Sequence, residues 1–151
     1  MITMKALVVF DSNYGNTRLI AENIVKQLGK DTKLVSAHGF KKSDLIGIKL
    51  LIVGSPINYW SPTEHTKKFI SNLRKGQLNG IKAAAFDTRV KLFSGEAANK
   101  IADALHNAGA EVIIEPKGFY VKGEEGPLAD GEIEKSSMWA KQIKKMFRTI
   151  S

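Results

Sequence analysis

The chain has 151 residues, 43% of them apolar and 25% charged, which excludes disorder and leaves room for one domain, residues 1–151, with a layered core. It has no cysteine, which excludes a disulfide framework, a thiolate zinc or iron–sulfur site and a cysteine nucleophile, and fits a cytoplasmic protein. The net charge is +8 from 23 basic and 15 acidic residues, but the basic residues are spread along the chain and no nucleic-acid-binding motif accompanies them.

No apolar run reaches the roughly 18 residues of a membrane span. The stretch Met1 to Lys5 leads directly into an apolar run with no small-residue cleavage site, so no signal peptide is expected. The tightest basic groups, Lys41-Lys42, Lys67-Lys68, Arg74-Lys75 and Lys144-Lys145, read as a solvated surface or a partner-docking face.

Short apolar runs alternate with helical periodicities. Lys5 to Phe10 is a continuous apolar run of the kind buried on both faces of a parallel sheet. Asn16 to Leu28 places Ile20, Ile24 and Leu28 on one helical face, and Gly29 ends it. Lys33 to Ala37 is a short second strand, and Ser43-Asp44-Leu45 marks a weak helix. Lys49 to Val53 is a third strand. A helix from Thr63 to Leu73 buries Phe69, Ile70 and Leu73. Lys82 to Phe86 is the fourth strand, and Gly95 to Ala108 is a helix with Ala97, Ile101 and Leu105 inward. Ala110 to Ile114 and Gly118 to Val121 form one last strand interrupted near Pro116. The acidic loop Gly123 to Gly131 then leads to a helix with Trp139, Ile143 and Phe147 inside.

This alternation implies an α/β fold with a parallel sheet covered by helices on both faces. Ligands of such sheets bind outside the carboxyl ends of the strands. The residues after strands one, three and four are therefore the candidate site. The first loop, Asp11 to Thr17, opens a helix, and Ser12, Asn13, Asn16 and Thr17 can add donors to its N-terminal amides, a natural phosphate cradle. Gly15 lets the backbone turn around the anion. The second loop, Gly54 to Pro62, carries adjacent aromatics, Tyr59 and Trp60, between prolines, a platform suited to a flat heterocycle. The third, Asp87 to Ser94, offers Thr88 to a ring edge and Arg89 to ring carbonyls or phosphate, and Ser94 is positioned as a helix cap. His38, His65 and His106 are scattered and read as surface residues.

On these residues the chain resembles the flavodoxin family. Ser12-Asn13-Tyr14-Gly15-Asn16-Thr17 is similar to that family's phosphate loop, with Tyr14 standing where a serine or threonine is usual. Gly54-Ser55-Pro56 with Tyr59-Trp60 is similar to its second flavin loop, and Ala84 to Arg89 to its fourth strand and third loop. Gly126-Pro127-Leu128 before the last helix resembles the short prokaryotic members. The resemblance implies a three-layer α/β/α sandwich with a five-stranded parallel sheet of order 2-1-3-4-5. It also implies one non-covalent FMN and electron shuttling between redox partner proteins. Phosphate binding is carried over to Ser12, Asn13, Tyr14 (backbone), Gly15, Asn16 and Thr17. Ring contacts are carried over to Pro56, Ile57, Asn58, Tyr59, Trp60, Thr88, Arg89 and Phe93. No catalytic acid or base and no metal is implied.

Two departures from the family stand out. Its members are commonly acidic, whereas +8 favours the anionic reduced flavin, a less negative second potential and a partner with an acidic docking face. Between Pro56 and Pro62 there is no glycine to turn a peptide toward the ring, and Asn58 is the residue there most tolerant of positive φ. Two other classes compete: an FMN-dependent reductase or oxidase of quinone, NAD(P)H or protoporphyrinogen type, and a flavin-free binding module. The first generally needs extra loops. The generous loop here, Gly123 to Gly131, follows the last strand and not the flavin loops. Within the second, a phospho-receiver needs paired acids after strand one and an aspartate after strand three. This chain offers Asp11 alone and Gly54-Ser55 at those places. With no long apolar face in view, a monomer is the default.

Overall fold

The computed structural model describes residues 4–58, 60–90 and 97–149, with the backbone alone at Asn58. The elements in chain order are β1 (Ala6–Phe10), α1 (Asn16–Leu28), β2 (Thr32–Ser36), a 3₁₀ turn (Lys42–Leu45), β3 (Leu50–Asn58), β4 (Ser61–Pro62) and α2 (Glu64–Ser71). They continue with β5 (Lys82–Val90), α3 (Ala97–Asn107), β6 (Glu111–Val112), β7 (Lys117–Val121) and α4 (Glu132–Thr149).

The apolar runs are continuous because alternate side chains enter opposite layers. Ala6 and Val8 of β1, Leu50 and Ile52 of β3, and Ala84 and Phe86 of β5 face one cluster, which α1 closes with Ile20 and Ile24 and α4 with Trp139, Ile143 and Phe147. Leu7 and Val9, Leu51 and Val53, and Ala83 and Ala85 face the other, which α2 closes with Phe69 and α3 with Ile101 and Leu105. The result is the expected three-layer α/β/α sandwich.

The sheet runs β2-β1-β3-β5 and then β6 and β7, which occupy one edge in succession, all parallel. Counting that edge as one broken strand gives the order 2-1-3-4-5. Ala83 opposes Val112 and Phe86 opposes Lys117, so the edge chain spends two more residues than β5 over the same span. Pro116 lies in the surplus and has no N–H to offer β5, which is why the strand divides there.

Four local expectations are corrected. The segment at Ser43 to Leu45 is a single 3₁₀ turn, and α2 ends at Ser71 rather than Leu73. β3 continues past Val53 to Asn58, and β5 continues past Phe86 to Val90. These strands run on because each has a neighbour: Ser55 and Pro56 pair with Asp87 and Thr88, and Phe86 to Val90 pair with Lys117 to Val121. The third loop of the sequence reading is therefore largely strand. β4, which the sequence did not suggest, turns back on the end of β3 by pairing Ile57 with Pro62 and Asn58 with Ser61. The cap proposed at Ser94 lies outside the described residues.

Gly54, the β3 residue just before the candidate site, lies under the ring of Phe86. A Cβ there would overlap that ring. Phe86 cannot yield, because it is fully buried and packed edge-on against Phe119 and Trp139 at centroid separations of 5.8 and 5.9 Å. Gly54→Ala is expected to cost about 1–3 kcal/mol through overpacking, read as a lower urea midpoint with an unchanged slope.

Candidate functional site

A cleft of about 570 Å³ opens at the carboxyl edge of the sheet. Ser12, Asn13, Tyr14, Asn16 and Thr17 line it from the first loop, Pro56, Ile57 and Trp60 from the second, and Thr88 and Arg89 from β5. Of the other expected site residues, Gly15 is outside the lining and forms the N-cap of α1. Tyr59 and Phe93 lie outside the described residues, and only the backbone of Asn58 is described.

The first loop ends on Gly15, the N-cap of α1, at φ +91°, a left-handed conformation that glycine reaches without penalty. Glycine has no side chain to cap the helix. The first α1 amide with an intrahelical acceptor is that of Leu19, which donates to the Gly15 carbonyl at 3.0 Å. The amides of Asn16, Thr17 and Arg18 have none within the helix and carry the positive end of its dipole. Ser12 Oγ accepts from the Gly15 N–H at 2.9 Å, which leaves its own proton available to the cleft. Thr17, buried, shares a hydrogen bond of 2.8 Å with Thr88 across to β5. Tyr14 is half exposed at the rim.

The second loop is held from below by a polar cluster. Thr63, the N-cap of α2, donates its hydroxyl proton to Asp11 Oδ2 at the end of β1. With that proton committed, the 2.9 Å bond to Thr66 must come from the Thr66 hydroxyl. The Thr63 N–H donates to Ser55 Oγ at 3.2 Å, and Ser55 in turn donates to the Pro56 carbonyl at 2.8 Å. Ser55, Thr63 and Thr66 are all buried. β1, β3 and α2 are thus joined directly beneath the loop. At its tip, Trp60 has φ +69°, while Asn58, the residue expected to take positive φ, does not. A non-glycine residue there carries about 1–3 kcal/mol of backbone strain. Trp60 is 56% exposed at the edge of the cleft.

In β5, Arg89 and Asp87 form a bidentate pair: Nε to Oδ1 at 2.7 Å and Nη2 to Oδ2 at 2.6 Å. The Ala98 N–H also donates to Asp87 Oδ2, at 2.9 Å. Burial pushes the Asp87 carboxyl up from its ordinary value, against the pull of the Arg89 fork and the Ala98 amide. The Asp87 hydrogen bonds push Arg89 up in turn. The guanidinium lies against Gly118 of β7, where a Cβ would collide with it. Arg89 lines the cleft as expected, but as a clamped, charge-balanced group and not a free cation.

Sequence reasoning missed Val90, Val121 and Glu124 in the lining. β7 runs parallel to β5, so the loop after it also emerges at the carboxyl edge, and Gly123 to Gly131 reaches the site that it seemed to avoid. Asn16 Nδ2 donates to the Glu125 carbonyl at 3.3 Å, and a Cβ at Gly126 would strike Asn16. Among the described residues, the charged ones lining the cleft are Arg89, balanced by Asp87, and Glu124. These described residues give the lining no net positive charge, although the chain as a whole is positive. His38 and His65, read as scattered, meet with ring centroids 4.8 Å apart, whereas His106 lies elsewhere, on α3.

The flavodoxin family's sequence model matches residues 8–139. Flavodoxin 1 of Salmonella typhimurium is 33% identical over 120 residues, covering 77% of this chain and 64% of that protein, so the chain spans less than two thirds of that relative's length. Among solved structures, oxidised Flavodoxin 2 from Bacillus cereus superposes with a TM-score of 0.81 at 23% identity, covering 97% of this chain and 99% of that one. A flavodoxin from the domain Archaea gives 0.77 at 24% identity over 96% and 99%. These structural likenesses establish the shared fold.

The cluster around Thr63 makes a direct prediction. Thr63→Val keeps the shape but deprives Asp11 and Thr66 of their hydroxyl partner, and is expected to lower the unfolding free energy by about 1–3 kcal/mol in urea titration. Thr63→Ser, which restores the hydroxyl, is expected to recover most of it.

Proposed function

The chain belongs to the flavodoxin family, and from that premise we propose that it binds one FMN in the cleft and carries electrons between redox partner proteins. FMN is the family's cofactor and supplies the redox chemistry. One observation carries the assignment to this cleft. The uncapped N-terminus of α1, with a free Ser12 proton, faces the same space as the exposed edge of Trp60. The first suits a phosphate and the second a flat heterocycle.

In this reading the phosphate is held by Ser12, Asn13, Gly15, Asn16 and Thr17 and the backbone of Tyr14. The ring lies among Pro56, Ile57, Asn58, Tyr59, Trp60, Thr88, Arg89 and Phe93. Thr17 and Thr88, already hydrogen-bonded, brace the two ends of the site against each other. The clamp on Arg89 orients its remaining N–H groups without adding net charge. The compartment in this reading is the cytoplasm. The partner has an acidic docking face, supported by the net charge of +8.

The test is the absorption spectrum of the purified chain after incubation with FMN and desalting. A retained flavin band is expected. Loss of all flavin from a protein whose circular dichroism is native would overturn the reading, and rapid oxidation of NAD(P)H without a partner would move it to an enzyme. Ser12→Ala removes one hydrogen bond to an anion, worth about 1.5–3 kcal/mol, and is expected to weaken FMN binding roughly 10- to 100-fold by fluorescence titration.

The charge of the cleft revises the expectation for the potential. Glu124 places a negative group at the site and Arg89 adds no net positive one. The lower of the two flavin potentials is therefore expected to be set locally, not by the global +8. Glu124→Gln should shift that potential upward by some tens of millivolts in a redox titration, the scale of a screened charge worth about 1 kcal/mol or less. No shift on substitution would return the control to the overall charge.

A further inference from the structure

An open groove of about 930 Å³ runs between the end of β2 and α2. Its floor is apolar: Phe40 packs edge-on against Phe69 at 4.7 Å, beside Leu73. Its rim carries His38, Lys42, His65 and Lys68.

The acids near this rim are already engaged. Glu64 pairs with Lys67 at 3.2 Å, and Asp44 accepts from Lys33 at 2.7 Å and from the Lys41 N–H at 2.8 Å. Among the described residues, Lys42 and Lys68 have no ion-pair partner, and the two imidazoles lie against each other. A protein surface normally intersperses its charges. Here Lys42 and Lys68 flank an apolar floor, and Glu64, the acid in the lining, is already paired with Lys67, which makes the groove the complement of an acidic segment bearing an apolar anchor.

We propose that this groove is the docking site for an acidic segment of the redox partner, an inference that rests on the electron-carrier reading. Phe40 and Phe69 receive the segment's apolar residue, while Lys42, Lys68 and the paired histidines engage its carboxylates. The location suits that role. Trp60 at the cleft edge is followed by β4, then by Thr63, and His65 lies in the first turn of α2. A partner seated in the groove would therefore border the edge of the cleft where Trp60 is exposed. The polar cluster of Thr63, Asp11 and Ser55 makes the strip between the two rigid.

The probe is a short fluorescein-labelled peptide of aspartate and glutamate around a central Phe-Leu pair, titrated by anisotropy at low salt against the full FMN-treated chain. Binding is expected, and K42E/K68E should weaken it about tenfold or more. The control K141E/K145E makes the same charge change on α4, across the sheet, and should leave it nearly unaltered. Equal loss in both double variants would overturn the groove in favour of overall charge. Absence of peptide binding would overturn it outright, as would tighter binding of a single-stranded RNA oligonucleotide in the same groove. Flavin retention is read on the same samples. Peptide binding with no flavin would leave the groove standing and fell the electron-carrier reading, and flavin retention with no peptide binding would fell the groove alone.

Discussion

The parallel ladder of β1, β3 and β5 is the constraint on which the rest depends. Ala6 opposes Leu50, and Leu50 opposes Lys82, and the register holds through Phe10, Gly54 and Phe86. Three segments far apart in sequence therefore end side by side. Each follows a strand buried on both faces, so none can slip by one residue without turning an entire apolar set into the wrong layer. The precision of the cleft is inherited from that prohibition. Ser12, Pro56 and Thr88 meet because the core beneath them has only one register.

The ladder delivers the loops, but polar chemistry fixes them. Where the strands run out of apolar residues the chain does not simply enter solvent. It passes through a cluster of half-buried Asp11 with buried Ser55, Thr63 and Thr66, and a pair of buried Asp87 with half-buried Arg89. Buried groups of this kind are costly when partly satisfied and rigid when fully satisfied. The single hydroxyl proton of Thr63 goes to Asp11, which assigns the remaining bonds in order. The strained backbone at Trp60 is held by this foundation, as strained residues at binding sites generally are.

Much of this was legible in the sequence for physical reasons. Runs such as Leu50 to Val53 announce a strand buried on both faces, and the helix stripes at Ile20-Ile24 and Trp139-Ile143-Phe147 announce what covers them. The polar loop that opens α1 was legible as a cleft wall because it follows a buried strand and carries small and polar residues at a helix start. What stayed hidden was long-range. The extension of β5 to Val90 depends on β7 being its neighbour, and nothing in Asp87-Thr88-Arg89 taken alone says so. The pairing of Asp87 with Arg89 looks in sequence like two charges in a loop. Glu124 was hidden by its distance along the chain, although a parallel sheet places every carboxyl end on one edge. The meeting of His38 with His65 needed the relative placement of β2 and α2, which no local pattern encodes.

Charge brings these threads together. A net charge of +8 suggests a positive cleft, yet among the described residues the cleft holds one balanced arginine and one glutamate. The excess positive charge instead lies on outward faces, among them α4 at Lys141, Lys145 and Arg148 and the groove rim at Lys42 and Lys68. Exposed charges act through water and within a screening length of about 10 Å, whereas groups lining a cleft act at close range and in a lower dielectric. The two populations can therefore be tuned separately. A chain of this fold can carry a strongly basic exterior around a cleft whose described lining keeps a charge balance of its own.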